Sequence, residues 1–311
     1  MNLSKAVKFV LFLMVRFARS KTIRKLLKNP ASLTGLLLVL GYVAVAIFAP
    51  YLAPPRDPNY PYMLPRDSFE SEPKPPNYNH PFGTTEGQYD IYYGIIWGTR
   101  TAFRVGLIVV SASVLIGVSI GTLSAYYGGL FDELVMRIVD VFMTMPFLLA
   151  AMVLVTILGA GLDNIMIAMI AFSWMGFARL IRGEILSIKE SVYVLAARSI
   201  GASDLRIMIH HILPNAIFPT FVMATMDLGS IVLWASSLSF LGLGAPVDYP
   251  DWGQMISFSR NWMLGGYGNA MQYWYTVAIP GLAIVLFVLG WNLVGDALRD
   301  VFDPRMRGVS R

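Results

Sequence analysis

The sequence lacks cysteine and carries little charge. None of its 311 residues is cysteine, and only 14% are Asp, Glu, Lys or Arg. The absence of cysteine excludes disulfide bonds, thiol catalysis and thiolate metal sites. Hydrophobic residues make up 56% of the chain and the mean hydropathy is +0.60, which is too apolar for a soluble domain of this length. The composition therefore predicts an integral membrane protein.

Motifs for nucleotide or metal-dependent hydrolysis are also missing. The sequence contains no G-x-x-x-x-G-K-[ST] phosphate loop and no H-E-x-x-H zinc motif, so we expect no catalytic residue, metal or cofactor on this chain. A G-x-S-x-G run does occur at Gly117–Gly121, but His80, His210 and His211 all lie outside the predicted spans. A serine hydrolase using Ser119 is thus an alternative that lacks a base. The same glycines have GxxxG spacing, which predicts close helix packing.

The basic residues follow a membrane pattern. The net charge is +5 and the isoelectric point about 9.3, with the basic residues at segment ends and in the N-terminal tail. We therefore expect a lipid bilayer, and no nucleic acid, as the partner. Residues 1–31 are basic and amphipathic, and are predicted to lie on the anionic inner membrane surface. Their charge places the N-terminus in the cytoplasm.

Hydropathy predicts an all-α membrane protein with six transmembrane helices and both termini cytoplasmic. The predicted spans are 32–53, 101–126, 139–158, 165–180, 215–238 and 277–294. A Pro-rich outer loop occupies 54–98, a five-helix core 99–301 and a cytoplasmic tail 302–311. A second outer segment, 245–275, carries Trp252, Trp262, Tyr267, Tyr273, Trp274 and Tyr275, most of which we expect at the membrane interface. The prediction is a multi-pass protein of the cytoplasmic membrane.

Residues 187–214 form a polar loop between the fourth and fifth predicted spans. Ser191 can cap a short helix, and Gly201 can take the left-handed conformation that ends it. Ser203 and Asp204 can then start a second helix. Four residues are predicted to share one face of the first helix: Val192, Leu195, Ala196 and Ser199. On local physics alone, an ordinary helix–turn–helix link explains this pattern equally well.

The same loop resembles the coupling loop of ATP-binding-cassette importer permeases. The resemblance is carried by the spacing of Ala196-Ala197, Gly201 and Leu213-Pro214, although Leu195 and His211 stand where that family often has Glu and Ile. Three further segments resemble the peptide-transporter branch of the family: His80-Pro81-Phe82-Gly83-Thr84, Ser239–Gly244 and Gly295–Arg305. Ala235 replaces a Glu that this branch usually has. The matches lie near both ends and in the middle of the chain.

The resemblance implies a permease subunit that forms half of a translocation pathway for peptides or related solutes such as oligosaccharides. Its partners would be a second homologous permease, two ATPase subunits that bind ATP and Mg, and an extracytoplasmic solute-binding protein. The small residues Ala196, Ala197 and Gly201 would form a knob that docks on an ATPase subunit. The residues implied in ATPase coupling are Tyr193, Leu195, Ala196, Ala197, Arg198, Gly201, Ala202, Ser203 and Asp204.

An acidic residue stands in the fifth predicted span. A carboxylate near mid-membrane is costly unless it faces water or a partner, so Asp227 marks either a pathway or a buried pair. We take Asp227, Ser230 and Trp234 as candidate pathway or gate residues. The alternative function is an ion-coupled secondary transporter or channel that works without ATPase subunits, with Asp227 as the coupling acid.

Overall fold

The structure is a computed structural model that describes residues 29–263 and 270–302. Across these two ranges the chain forms helices, turns and two isolated β-bridges. The helices used below are α1 (Pro30–Leu52), α2 (Ile91–Tyr127), α3 (Gly129–Met143), α4 (Phe147–Leu158), α5 (Leu162–Ile188), α6 (Val192–Ser199), α7 (Asp204–Ile207), α8 (Leu213–Leu238), α9 (Trp252–Phe258), α10 (Arg260–Met263) and α11 (Tyr275–Phe302). A π-helical turn, Met208–Ile212, joins α7 to α8.

The long helices are apolar enough to cross a membrane. Within the described ranges, α1, α2, α5, α11 and the segment Asp204–Leu243 that contains α8 qualify singly, and α3 with α4 qualifies as a bent pair. The structure therefore gives five spans, or six if the bent pair counts as one. This agrees with the predicted all-α membrane fold.

The third span is broken. The sequence predicts one continuous helix over 139–158, but α3 and α4 meet at an angle of 89°. Pro146 explains the break, because it lacks a backbone N–H and disfavours helical dihedral angles at the preceding Met145. The prediction of one third-span helix over 139–158 is corrected accordingly. The break turns Phe147, the first residue of α4, toward the interior of the bundle, where it packs beside Trp234.

The second span begins earlier than predicted. Helix α2 starts at Ile91 rather than near Thr101, so its first turns fall within the segment assigned to the loop 54–98. Asp90 caps this helix by accepting a hydrogen bond from the backbone N–H of Tyr93 at 2.8 Å. The other carboxylate oxygen of Asp90 lies 2.6 Å from Nδ1 of His80, which ties the Pro-rich loop to the start of the helix.

Small residues let α2 and α5 pack closely. A side chain at Gly117 would collide with the backbone carbonyl of Trp174, and one at Gly121 with that of Ala178. The close packing predicted from the GxxxG spacing is thereby confirmed. Ser119 lies exposed in the middle of the same helix, without the strand–turn–helix geometry that exposes a hydrolase nucleophile. This geometry argues against the hydrolase alternative.

Helices α2 and α5 run in the same direction, which separates the loops between two ends of the bundle. Arg104, in the first half of α2, pairs with Asp163 at the start of α5, at 2.7 Å. At the other end of the same helices, Lys189 donates to the backbone carbonyl of Ala125 at 3.1 Å. The connection 189–212 therefore lies at one end, here called the inner end. The segments 53–90, 244–263 and 270–275 lie at the opposite, outer end.

The two outer segments pack together around aromatic side chains. Four of the aromatic residues expected at the membrane interface are instead buried: Trp252, Trp262, Tyr273 and Tyr275. Trp274 is exposed. The prediction of a mainly interfacial belt is wrong for the buried four, because they belong to one apolar cluster with residues of α1, α2 and α11, such as Tyr42, Ala102 and Phe287. We call the segments 53–90, 244–263 and 270–275 the outer cap.

Three predicted features lie wholly or largely outside the described residues. They are the basic segment 1–31, the tail 302–311 and Tyr267. The predictions made for them stay predictions.

Candidate functional site

The turn between α6 and α7 has the geometry that its glycine predicts. Gly201 has a φ of +80°, in the left-handed region. Its N–H donates to the carbonyl of Arg198 at 3.0 Å, and the N–H of Ala202 donates to the carbonyl of Ala197 at 3.1 Å. This pair of hydrogen bonds is a Schellman motif. No heavy atom lies within 4 Å of a Cβ placed on Gly201, so backbone conformation rather than space requires glycine here.

The predicted serine caps form only in part. Ser191 and Ser203 occupy the N-cap positions of α6 and α7 with extended backbone angles, but neither side chain makes a capping hydrogen bond. The backbone carbonyl of Ser191 accepts the N–H of Leu195 at 3.1 Å, which starts the helix. Among the residues that the structure describes, the buried Ser191 hydroxyl has no hydrogen-bond partner. The prediction of side-chain capping is therefore corrected.

Helix α6 has a buried face and an exposed face. Val194 and Ala197 are buried in an apolar cluster with residues of α2, α5 and α8, including Ala125, Ile181, Ile185 and Ala216. The opposite face is exposed and includes the four residues expected to share it: Val192, Leu195, Ala196 and Ser199. Ile200 extends this surface and is 85% exposed. We call the exposed set Val192, Leu195, Ala196 and Ile200 the α6 surface.

The predicted knob is corrected at one residue. Ala197 is 6% exposed and faces the bundle, because the helical period places it on the same side as Val194 three residues earlier. Ala196 is the small residue that faces outward, and Gly201 is also exposed. Of the other residues implied in coupling, Tyr193 and Ser203 are exposed and Ala202 is partly buried.

Two of the predicted coupling residues fasten the loop to the bundle. The hydroxyl of Tyr126, at the end of α2, donates to Asp204 Oδ1 at 2.5 Å. The guanidinium of Arg198 lies over the Tyr126 ring, 5.8 Å from its centroid. One residue of α2 therefore holds both α6 and α7. The structure assigns Arg198 and Asp204 an anchoring contact, in addition to any contact with a partner.

An ion pair joins the inner ends of α3 and α5. Arg182 donates to both carboxylate oxygens of Asp132, each at 2.6 Å. The hydroxyl of Ser124, on α2, also donates to Asp132. Bidentate pairing fixes orientation as well as distance. These contacts link three helices directly beside the α6–α7 loop.

The candidate pathway residues share one face of α8 and line two adjoining cavities. Asp227 and Ser230 line a cavity of about 640 Å³, together with Asn292 and Arg299 of α11. They also line a second cavity of about 190 Å³, with Trp234. The structure thus brings all three predicted residues together along one groove. The wall of the larger cavity is completed by Leu180, Phe218, Pro219, Val222, Met223 and Met226.

Asp227 places a carboxylate in this groove. The side chain is half-buried in the middle of α8. Within 29–263 and 270–302 it makes no hydrogen bond and no ion pair. The sequence left open whether Asp227 belongs to a buried structural pair, and the described residues contain no partner for such a pair. Nearby, the buried hydroxyl of Ser173 also has no hydrogen-bond partner in the described part of the chain.

An aromatic pair bounds the smaller cavity. The rings of Phe147 and Trp234 lie 5.8 Å apart between centroids, and Phe172 lines the same cavity. Four lining residues could not be predicted from the sequence, because each is distant in the chain from Asp227: Phe147, Phe172, Asn292 and Arg299. The signal available for Phe147 was Pro146, which breaks the third span just before it.

A bundle of apolar helices of membrane length, with a groove that carries polar and charged side chains and an exposed loop at one end, is typical of a multi-pass membrane transport protein. The family model described as binding-protein-dependent transport system inner membrane component matches residues 113–308. A second model, the N-terminal TM domain of oligopeptide transport permease C, matches residues 19–76. The chain belongs to the family of binding-protein-dependent transport system inner membrane components.

Curated relatives align along most of the chain. The dipeptide transport system permease protein DppC of Alkalihalophilus pseudofirmus is 36% identical over 284 residues, covering 91% of this chain and 89% of that protein. The glutathione transport system permease protein GsiD of Escherichia coli O157:H7 is 37% identical over 285 residues, covering 92% and 90%. The probable D,D-dipeptide transport system permease protein DdpC of Escherichia coli K12 is 36% identical over 293 residues, covering 94% of both.

Among solved structures, an inward-facing form of the MetNI methionine ABC transporter aligns with 66% of this chain and 96% of its own, at 20% identity and a TM-score of 0.49. The family membership and the relatives make this chain a permease subunit of an ATP-binding-cassette importer. They favour that function over the ion-coupled transporter or channel.

Proposed function

We propose that this chain forms one half of a peptide translocation pathway in the cytoplasmic membrane, paired with a second, related permease. Two ATPase subunits, which hold ATP and Mg, dock on the inner end, and an extracytoplasmic binding protein docks on the outer cap. The observation that carries the proposal is the α6 surface. It is an exposed apolar patch on a short helix whose other face is locked into the bundle.

The charge distribution supports a cytoplasmic inner end. Arg182, Lys189, Arg198 and Arg206 lie on or beside the α6–α7 loop. Basic residues in short connections favour the cytoplasmic side of a membrane. With this orientation both chain termini are cytoplasmic and the outer cap faces the binding protein. The α6 surface then lies in the compartment that contains ATP.

The packing supports mechanical coupling through α6. Val194 and Ala197 contact a cluster that includes side chains of α2, α5 and α8, and Tyr126 holds both Arg198 and Asp204. A displacement of α6 by an ATPase subunit would therefore move the inner ends of several spans together. Close-packed side chains transmit such a displacement because they leave little room to deform.

The position of the groove along α8 supports alternating access. The larger cavity extends along α8 from Asp227 to Phe218, which is near the inner end of that helix. The smaller cavity ends at the Phe147–Trp234 pair on the side toward the outer cap. Separation of this aromatic pair would admit cargo from the binding protein. ATP and the binding protein would drive the change only by binding one state more tightly than the other.

The cargo class follows from the relatives. DppC and DdpC are named for dipeptides and GsiD for glutathione, which is itself a peptide. We therefore propose short peptides as the cargo, with related solutes such as oligosaccharides as the alternative. Uptake of radiolabelled dialanine and of a labelled disaccharide by the complete transporter in vesicles separates the two.

Cysteine cross-linking tests the docking of the α6 surface. The chain has no cysteine, so Leu195→Cys creates its sole thiol. With the transporter genes co-expressed, we expect a bifunctional maleimide to join this thiol to an ATPase subunit. Tyr78→Cys is the matched control, since Tyr78 is 99% exposed on the outer cap. Cross-linking of the ATPase at Tyr78→Cys and not at Leu195→Cys would overturn the proposal, as would ion-driven uptake by this chain alone.

A further inference from the structure

We propose that Asp227 is the counter-charge for the α-ammonium group of the peptide cargo. The inference rests on the proposed function and names the recognition chemistry inside its pathway. It assigns a ligand group to a carboxylate for which the described residues supply no partner. Its source is the arrangement of α8 and α11 around the larger cavity.

The position of Asp227 requires a cation or water at its carboxylate. It lies near the centre of α8, between apolar neighbours, and borders both cavities. A carboxylate held among apolar side chains is costly when it is neither hydrated nor paired. No Lys, Arg or His of the described residues lies within ion-pair distance of it. The ammonium group of a transported peptide can pair with this carboxylate during passage. A permanent ion pair within the protein would block that pairing.

Polar groups around Asp227 are suited to an ammonium donor. Ser230 lies one helical turn away, and the buried hydroxyl of Ser173 lines the smaller cavity without a hydrogen-bond partner in the part of the chain that the structure describes. Both hydroxyl oxygens can accept a hydrogen bond. An ammonium group has three donors and no acceptor, so a carboxylate with two hydroxyls matches its needs.

The second charged residue of the cavity, Arg299, fixes the orientation of the peptide. Gly295 of α11 packs against Met226, and Arg299 lies about one turn nearer the inner end. The cavity therefore offers a carboxylate near mid-span and a guanidinium closer to the inner end. A short peptide with free termini carries the complementary pair of charges. Its ammonium end would lie at Asp227 and its carboxylate end toward Arg299.

The rest of the wall does not select among side chains. Met223 and Met226 are flexible and polarizable, and Val222, Phe218 and Leu180 add apolar surface. Such a wall accommodates side chains of many shapes, so recognition falls on the groups that all peptides share. The α-ammonium group is one of these. This division explains how a single acidic residue can serve a varied cargo.

Thiol labelling tests the charge preference without a transport assay. Ser230→Cys gives this chain one thiol, about 5–6 Å from the Asp227 side chain by helical geometry. The quantity measured is the ratio of two labelling rates: that of a cationic trimethylammonium methanethiosulfonate to that of an anionic sulfonate reagent. In the complete transporter, this ratio should be higher for the thiol of Ser230→Cys than for free cysteine. Adding Asp227→Asn should slow the cationic reagent on the order of tenfold, as expected for loss of a unit charge at this range in a partly hydrated site. Asp227→Glu should restore the preference.

Peptide protection identifies the group that is recognised. Dialanine should slow labelling of Ser230→Cys by a neutral methanethiosulfonate, whereas N-acetyl-dialanine should not, and Asp227→Asn should abolish the difference. The matched control is Asp163→Asn, an exposed acid at the outer end, which should leave protection unchanged. The inference is overturned if dialanine and N-acetyl-dialanine slow labelling equally. It is also overturned if sodium ions slow labelling and dialanine does not.

Failure of this inference is distinguishable from failure of the proposed function. If Leu195→Cys cross-links an ATPase subunit and Asp227→Asn leaves labelling and protection unchanged, the inference alone is overturned. If protection by dialanine depends on Asp227 but no ATPase is found at Leu195→Cys, the proposed coupling is overturned and the ammonium site stands.

Discussion

The inner and outer ends of the bundle meet solvent in different ways. The inner end presents the apolar α6 surface, and Ile200 within it is 85% exposed. The outer cap contains more chain and has a buried aromatic core, in which Trp252 is only 2% exposed, although Trp274 and Tyr78 face outward. An exposed apolar face on one short helix is typical of a contact with another protein, whereas the buried aromatic core stabilises the outer cap itself. The two ends should therefore respond oppositely to substitution.

The outer cap is held by carboxylates as well as by aromatic packing. Glu86 accepts a hydrogen bond from Trp262 Nε1 at 3.0 Å, and Glu72 accepts one from the Tyr273 hydroxyl at 2.9 Å. Both acids belong to the segment 53–90, and the two aromatic residues belong to 244–263 and 270–275. The hydrogen bonds thus join the two outer segments. Comparable joints at the inner end, such as Tyr126 to Asp204, lie behind the α6 surface and leave it free.

The largest effect on stability is expected in the outer cap. Trp252 packs against Tyr42 and Phe287, and its indole fills the space beside Gly98. Trp252→Ala would leave a cavity there and cost about 3–5 kcal/mol. We expect a marked fall in the melting temperature of the detergent-solubilised complex. A melting temperature equal to that of the wild type would contradict the scaffold role of the outer cap.

The next largest effect is expected at the inner end, on coupling instead of stability. Gly201→Val places a β-branched residue at φ +80°, which strains the turn between α6 and α7 although nothing blocks the side chain. We expect uptake to fall to near background while the spans stay folded. The measurement is the ratio of peptide uptake to ATP hydrolysis in proteoliposomes.

Two controls sharpen the Gly201 prediction. Asn tolerates left-handed dihedral angles, so Gly201→Asn should retain most of the coupling. Gly183→Ala tests the general effect of an added Cβ, since Gly183 is a helical glycine with open space around it. Normal coupling in Gly201→Val would show that the turn does not transmit motion.

Neighbouring residues on α6 give a smaller, two-sided test. Leu195→Ala removes part of the α6 surface and should weaken association with the ATPase subunits, with little change in melting temperature. Val194→Ala removes two methyl groups from the buried face and should cost about 1.6 kcal/mol of stability, while the α6 surface is unchanged. Co-purification of the ATPase and thermal melting measure the two effects. The same response in both variants would refute the division of α6 into two faces.

The features that the sequence could predict are those set by local rules. Apolar runs of membrane length indicated the spans, and glycine chemistry indicated both the α2–α5 packing and the left-handed Gly201. The helical period also grouped Leu195 and Ala196 correctly. Assigning Ala197 to the knob failed because its exposure depends on which face the bundle covers. That choice is made by Ala125 and Ile185, residues of other helices.

Features that depend on distant contacts were not predictable. Trp252 and Tyr275 are aromatic residues of the kind found at membrane interfaces. Only the packing of Trp252 on α1 and α11, and of Tyr275 beside Gly83 of the outer cap, reveals that they are core residues. Likewise, Asp227 was recognised as an unusual residue, but its cavity is completed by Asn292 and Arg299 of another helix. Hydropathy also averages over a break, so the bend before Phe147 left no mark on the predicted third span.

The smallest effect is expected at the hydrogen bond between Tyr273 and Glu72, which joins the two outer segments. The hydrogen bond to Glu72 is the main cause that raises the pKa of Tyr273 above its ordinary value of 10.0, followed by desolvation. Because the pKa is raised in the folded state, the stability that the Tyr273 hydroxyl contributes is complete below pH 10 and is lost as the pH rises through the raised pKa. Tyr273→Phe should therefore lower the melting temperature slightly at pH 8 and make its decline between pH 9 and pH 11 shallower. The control is Tyr78→Phe, at a site that is 99% exposed, which should change neither the melting temperature at pH 8 nor its alkaline decline. If the melting temperature of Tyr273→Phe declines as steeply as that of the wild type, this hydrogen bond does not join the two segments.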